Sequence, residues 1–304
     1  MQDTISVRLL KRPSRRIKEF IIEILLFLCA SISILATIAI IWVLVSDSIP
    51  FFQAVGFKRF FTETMWTPMF EDAKYGILPL LSGTLTTSMV AVTIAIPIGT
   101  AVAIYLSEFA GHKTREIVKP FLELLGSIPS IVYGYFALIF ITPILQVIFP
   151  ELPGFNMLSA GIMMGVAIIP YISSLAEDAM RAVPMSLKEG SYGMGATKLQ
   201  TAVKIVFPAA ISGILSAYIL GIARAIGETM IVAVAAGMQP TLSFNPMSET
   251  QTISSYIVQV ALGDVPHGSI GYQSIFAAGL MLLILTLIFN ILGHCVRTIY
   301  KKQY

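Results

Sequence analysis

Six stretches, each long enough to cross a bilayer and almost free of charge, constrain this chain more than any other feature. They cover residues 24–45, 77–106, 124–149, 158–175, 209–236 and 274–293, against the roughly 20 apolar residues that a helical crossing needs. Only the fifth carries charge, Arg224 and Glu228. Charged residues make up 12% of the chain, about half the share of a soluble domain. Such a composition excludes intrinsic disorder and nucleic-acid binding, and two cysteines exclude a disulfide scaffold. The expected fold is all-α: a polytopic membrane protein with six transmembrane helices. The first stretch is too long for a signal-peptide apolar region and lacks a convincing small-residue cleavage site, so it reads as a retained helix.

Basic residues orient the spans. Arg8, Lys11, Arg12, Arg15, Arg16 and Lys18 precede the first span; Lys113, Arg115 and Lys119 follow the second; Arg181, Lys188, Lys198 and Lys204 follow the fourth; Arg297, Lys301 and Lys302 end the chain. The opposite face holds only Lys58, Arg59 and Lys74. The positive-inside rule then places both termini in the cytoplasm. The expected order is a basic cytoplasmic tail (1–23), the first helix (24–45), an external loop (46–76), a core of five helices (77–296) containing a cytoplasmic loop (181–207), and a short cytoplasmic tail (297–304). Trp42 and Trp66 fit an outer aromatic belt, and Cys29 and Cys295 read as packed thiols.

The chain has no Gly-x-x-x-x-Gly-Lys-Ser/Thr loop, so it holds no ATP in a P-loop of its own. His112, His267 and His294 stand apart without the spacing of a metal site. A membrane hydrolase would need a nucleophile with its base, and none is legible. Function must lie in the helices or in the polar excursions 47–76, 181–207 and 238–271.

The cytoplasmic loop reads as structured. Ser186 with Glu189 and Thr197 with Gln200 have capping-box spacing, so two short helices are expected, separated at Gly190, Gly193 and Gly195. Leu199, Ala202, Val203 and Val206 form a narrow apolar stripe on the second, and Pro208 opens the fifth span. On periodicity alone this is an amphipathic helix at the inner headgroups.

Arg224 and Glu228 are expensive inside a bilayer, at least about 2.5–3.5 kcal/mol for a charge at the centre of a span. Four residues apart on a continuous helix, they would share a face and neutralise each other. Pairing explains how the charges are tolerated better than why they are present, because an apolar replacement often does as well. Gly213, Ala217, Gly221 and Ala225 make a small-residue stripe beside them, suited to close helix approach within the fold or between subunits. An arginine facing a hydrated path suits an oxyanion, whose oxygens match its fork of donors. Ser127, Ser130 and Thr229 are candidate lining hydroxyls, although such groups commonly bond their own backbone. Glu177 and Asp178 read as a solvated helix end.

Longer patterns add a family resemblance. Glu189-Gly190-Ser191, then Gly195, then Ile205-Val206-Phe207-Pro208 resembles the "EAA" signature of ABC importer permeases, with Gly190 and Ser191 in place of two alanines and Phe207 in place of leucine. Arg224-Ala225-Ile226-Gly227-Glu228-Thr229 resembles the Arg-Ala-x-Gly-Glu-Thr stretch of phosphate importer permeases of the PstC type. Ile128 to Gly134 and Ser82 to Ser88 are similar to the same family. The resemblance runs from about Trp66 to the end of the sixth span. It implies a non-catalytic permease subunit of the bacterial inner membrane, working by alternating access on inorganic phosphate. It also implies a sister permease, two ATP-binding subunits that hold ATP and Mg, and an external phosphate-binding protein. Glu189, Gly190, Ser191, Gly195, Ile205 and Pro208 would then form the docking loop for an ATPase subunit, and Arg224 and Glu228 would serve transport. Other readings are the sister phosphate permease, a sulfate or molybdate permease, and a proton-coupled secondary transporter in which Glu228 titrates against Arg224.

Overall fold

The computed structural model describes residues 13–70, 72–263 and 265–301. Arg8, Lys11, Arg12 and Lys302, which carry part of the orientation argument, lie outside them. The described chain is helical, with α1 (Pro13–Val55), α2 (Phe57–Thr62), α3 (Leu78–Ile104), α4 (His112–Ser127), α5 (Ser130–Phe136), α6 (Thr142–Ile148) and α7 (Met157–Arg181). There follow α8 (Met185–Gly193), α9 (Lys198–Thr201), α10 (Phe207–Ala209), α11 (Ile211–Gly227), α12 (Met230–Ala235), α13 (Ile253–Ala261) and α14 (Ile270–Lys301). Five helical runs are long and apolar enough to cross a membrane, and the bent pair through Ala210 makes a sixth.

α1 extends beyond both ends of the 24–45 stretch and packs mainly on α14, where Leu44 meets Gly279. Its other faces are exposed, with Trp42 72% accessible and Cys29 outward, as a lipid-facing helix requires. Cys295 on α14 is also exposed, so neither cysteine is a core packer.

α3 and α7 form the centre of the bundle. Glycines let them touch: a Cβ on Gly165 would lie 2.8 Å from the carbonyl oxygen of Ala91, the small-residue route to close packing where no hydrophobic effect drives helices together. The stripe on α11 faces this centre. Gly213 abuts Ala179, Gly221 abuts Ile172, and Ala217 and Ala225 are buried. The stripe therefore serves packing inside the chain, and the alternative of an interface between subunits is corrected.

Outside the bundle, α2, α13 and the loop around Trp66 close an aromatic cluster. Trp66 is 1% exposed and stands edge-on to Tyr256 with ring centroids 4.9 Å apart. It belongs to this core and not to a headgroup belt, because the loop folds back through its bridge to Tyr75. Thr252 caps α13, and the backbone N–H of Ile253 donates to Thr84 Oγ1 on α3. The hydroxyls of Ser82, Thr84 and Thr87 donate to their own helix.

Candidate functional site

Two of the apolar stretches are broken, one at Pro129, where the sequence predicts a kink, and one where the sequence reads as continuous helix. The third breaks at Ile128-Pro129 between α4 and α5, and the fifth at Glu228-Thr229 between α11 and α12. Proline disfavours helix in the residue before it and lacks an N–H, which accounts for the first break. Side chains bond carbonyls at each break, as irregular backbone at membrane depth requires. Tyr133 Oη donates to Leu125 O at 2.7 Å and Tyr171 Oη to Gly126 O at 3.0 Å. Thr229 Oγ1 donates to Gly227 O at 3.3 Å, and Ser254 Oγ of α13 donates to Glu228 O at 2.7 Å. The two broken spans pack together where Gly134 of α5 meets Val234 of α12.

The second break corrects the pairing of Arg224 with Glu228. Helix α11 ends at Gly227, and Glu228 has extended backbone with φ −67° and ψ 134°. It leaves the helical face of Arg224, and its Oε1 accepts from the backbone N–H of Thr229 at 3.1 Å. Among the described residues Arg224 forms no ion pair. Its guanidinium carbon instead lies 4.0 Å from the ring centroid of Tyr171 on α7, a cation–π contact. Arg224 lies thirteen residues beyond the start of α11, or about 20 Å along its axis.

Tyr171 also lines an open cleft of about 410 Å³ between α4 and α7, with Glu123, Gly126, Ser127 and Ser174. Tyr171 thus touches Arg224 and shares a cleft with Ser127, and it has no sequence signal of its own beyond following Pro170. The Ser127 hydroxyl donates to Leu124 O, leaving its oxygen able to accept. Ser130 opens α5 beyond the break, half-buried and outside the cleft, and Thr229 lies at the other break.

The first half of α4 is clamped to the end of α7. Glu177 is completely buried and receives Arg115 Nε at Oε1, with Arg181 3.9 Å away. Lys119 Nζ lies 3.2 Å from the other oxygen, a charge contact without hydrogen-bond alignment, and 2.8 Å from Asp178. The expectation of a solvated end fails for Glu177, because the polar face of α4 folds over it.

In the 181–207 segment, Thr197 and Gln200 form the expected capping box. Ser186 does not: Pro184 occupies the N-cap of α8 without a side-chain bond. Gly190 lies within α8 and Gly195 makes the turn, with φ +82°, the left-handed region that glycine enters freely. Glu189 is exposed, Ser191 Oγ and Thr201 Oγ1 join the two helices at 2.9 Å, and Ile205 sits half-buried in a π turn. That wider turn splits the apolar stripe, with Ala202 and Val206 facing in and Leu199 and Val203 facing out. Pro208 lies in α10, and the chain bends by 74° before α11.

Residues 95–301 match the family described as the binding-protein-dependent transport system inner membrane component. The chain belongs to this family. It is a multi-pass inner-membrane permease subunit of an ABC importer. The permease is 34% identical to the probable ABC transporter permease protein YqgH of Bacillus subtilis, over 95% of this chain and 94% of that one. It is 33% identical to the phosphate transport system permease protein PstC of Mesorhizobium japonicum, over 75% and 74%, and 32% identical to PstC of Haemophilus influenzae, over 79% and 80%. Its fold is that of the bacterial alginate ABC transporter solved with its alginate-bound periplasmic protein, at TM-score 0.65 and 18% identity over 96% of this chain and 99% of that one.

Proposed function

We propose that this permease forms half of the membrane path of an ATP-driven importer of inorganic phosphate. A sister permease supplies the other half, two ATP-binding subunits carry ATP and Mg on the cytoplasmic side, and a phosphate-binding protein delivers substrate outside. Both termini are cytoplasmic, and lipid covers α1. The named PstC relatives support the substrate, and the alginate structure with its periplasmic protein supports the delivery route.

The observation that carries this reading is the guanidinium of Arg224, held over the Tyr171 ring with no carboxylate against it. A cation–π contact of about 0.5–2 kcal/mol steadies the charge without neutralising it. An entering oxyanion meets a free fork of donors and forms charge-assisted hydrogen bonds. Release then follows from closure of the path on the other side, as alternating access requires, and no covalent step occurs on this chain. Glu189, Gly190, Ser191, Gly195, Ile205 and Pro208 belong to the loop that receives the ATPase subunit. A secondary transporter would need Glu228 to titrate against Arg224, and that pair is not formed.

The test is labelled phosphate uptake by the purified complex in vesicles, with subunits identified by mass. ATP-dependent uptake that excess phosphate suppresses and excess sulfate or molybdate leaves intact is expected. Equal suppression by sulfate or molybdate contradicts the substrate. Uptake by this chain alone, abolished by an uncoupler, contradicts the mechanism.

A further inference from the structure

Helix α8 carries the center of the 181–207 loop, yet none of its residues is buried. No hydrophobic face holds it to the bundle. Apart from its chain connections, two side-chain bonds place it among the described residues. One is the Ser191–Thr201 contact inside the loop. The other reaches 80 residues back along the chain: Lys188 Nζ donates to Glu108 Oε1 at 2.7 Å, with 12% and 5% of the two side chains exposed.

Glu108 sits in a π turn, Tyr105–Phe109, that ends α3. Such turns recur at functional positions because the wider turn re-aims side chains. This one is firmly seated. Leu106 is 1% exposed, and Ser107 Oγ lies 3.4 Å from Met180 Sδ of α7. A force on Lys188 is therefore delivered to the end of α3, the helix that packs most closely on α7 at the centre of the bundle. A shielded ion pair is a weak device for stability, since apolar residues of similar volume serve as well. Its distinctive property is a fixed length between two elements that otherwise do not hold each other.

We infer that the Lys188–Glu108 pair is the strut by which movement of the cytoplasmic loop is passed to α3. This rests on the reading of 181–207 as the ATPase-docking loop. The assay is phosphate uptake per ATP hydrolysed by the reconstituted complex with its binding protein. Glu108→Gln and Lys188→Met should assemble and hydrolyse ATP, with the ratio reduced about tenfold. The exchange of Glu108→Lys with Lys188→Glu should recover it to within about threefold. Glu108→Asp keeps both charges and shortens the strut by one methylene, and it too should lower the ratio. If the neutral variants fail to assemble, Glu108→Asp decides: a wild-type ratio there overturns the strut. So does an exchanged pair that assembles but stays uncoupled. Gly195→Trp, run in parallel, separates the two claims. Uncoupling there beside normal coupling in the pair variants overturns the strut alone; normal coupling both there and in Glu189→Lys removes the docking reading, and with it the basis of the strut.

Discussion

The guanidinium of Arg224 lies 4.0 Å from the centre of the Tyr171 ring, and Glu228, four residues along the chain, is turned away onto the backbone of Thr229. A permease path with a charge held by a ring differs physically from one whose charge is cancelled by a carboxylate, because the ring leaves the positive potential available to an anion.

Independence of Arg224 and Glu228 follows from that geometry. Stability changes for Arg224→Gln and Glu228→Gln should add to within about 0.5 kcal/mol in the double variant, as they do for groups without contact. Thermal unfolding of the complex measures this, and a larger coupling would mean that the two charges meet. Tyr171→Leu should weaken phosphate uptake by about 3- to 30-fold, the range of a lost cation–π contact, whereas Tyr171→Phe keeps the ring and most of the uptake.

Glu177 is a fully buried carboxylate that holds α4 to α7. Glu177→Gln leaves Arg115 and Lys119 facing a neutral group in a buried position, and loss of one partner of such a cluster costs about 3–5 kcal/mol. Thermal unfolding should fall markedly for Glu177→Gln, and very little for Asp178→Asn, whose side chain is 58% exposed. Equal, small effects of both would mean that α4 is not held at Glu177.

Much of this architecture is legible in the sequence, and the failures share one cause. Length and apolarity place the spans, and Thr197 with Gln200 marks a helix start that the structure repeats. Those signals are local. Whether Glu177 meets water or a cluster of bases depends on α4 lying antiparallel along α7, a tertiary fact that no window around Glu177 contains. The break after Gly227 is similarly hidden: a run of apolar residues looks like continuous helix, while the Ser254 hydroxyl that makes the break affordable comes from another segment. Arg224 was recognisable from its cost in lipid, and its partner Tyr171 was not.

The loop proposed to dock an ATPase subunit has two exposed residues that carry the proposal. Gly195 needs its left-handed backbone, and any side chain there is strained; Glu189 presents an exposed carboxylate. Gly195→Trp and Glu189→Lys should uncouple uptake from ATP hydrolysis while the subunit stays in the membrane. ATPase and uptake measured together check this, and normal coupling in both variants would remove the docking assignment.

Orientation is testable by labelling. With Cys29 and Cys295 replaced, a cysteine at Ser248 should react with an impermeant thiol reagent in intact cells, and cysteines at Ser6 and Gln303 should react only after lysis. The reverse pattern would invert the topology.

The most direct measurement of the central claim is ATP-driven phosphate uptake by the reconstituted complex carrying Arg224→Gln, with assembly and basal ATPase verified alongside. The variant keeps a hydrogen-bonding side chain beside Tyr171 and deletes the charge. Uptake should fall by at least about tenfold across phosphate concentrations, in keeping with the strength of charge-assisted bonds to an oxyanion. Wild-type uptake in an assembled Arg224→Gln complex would contradict the account, because the path would then carry phosphate without the charge assigned to hold it.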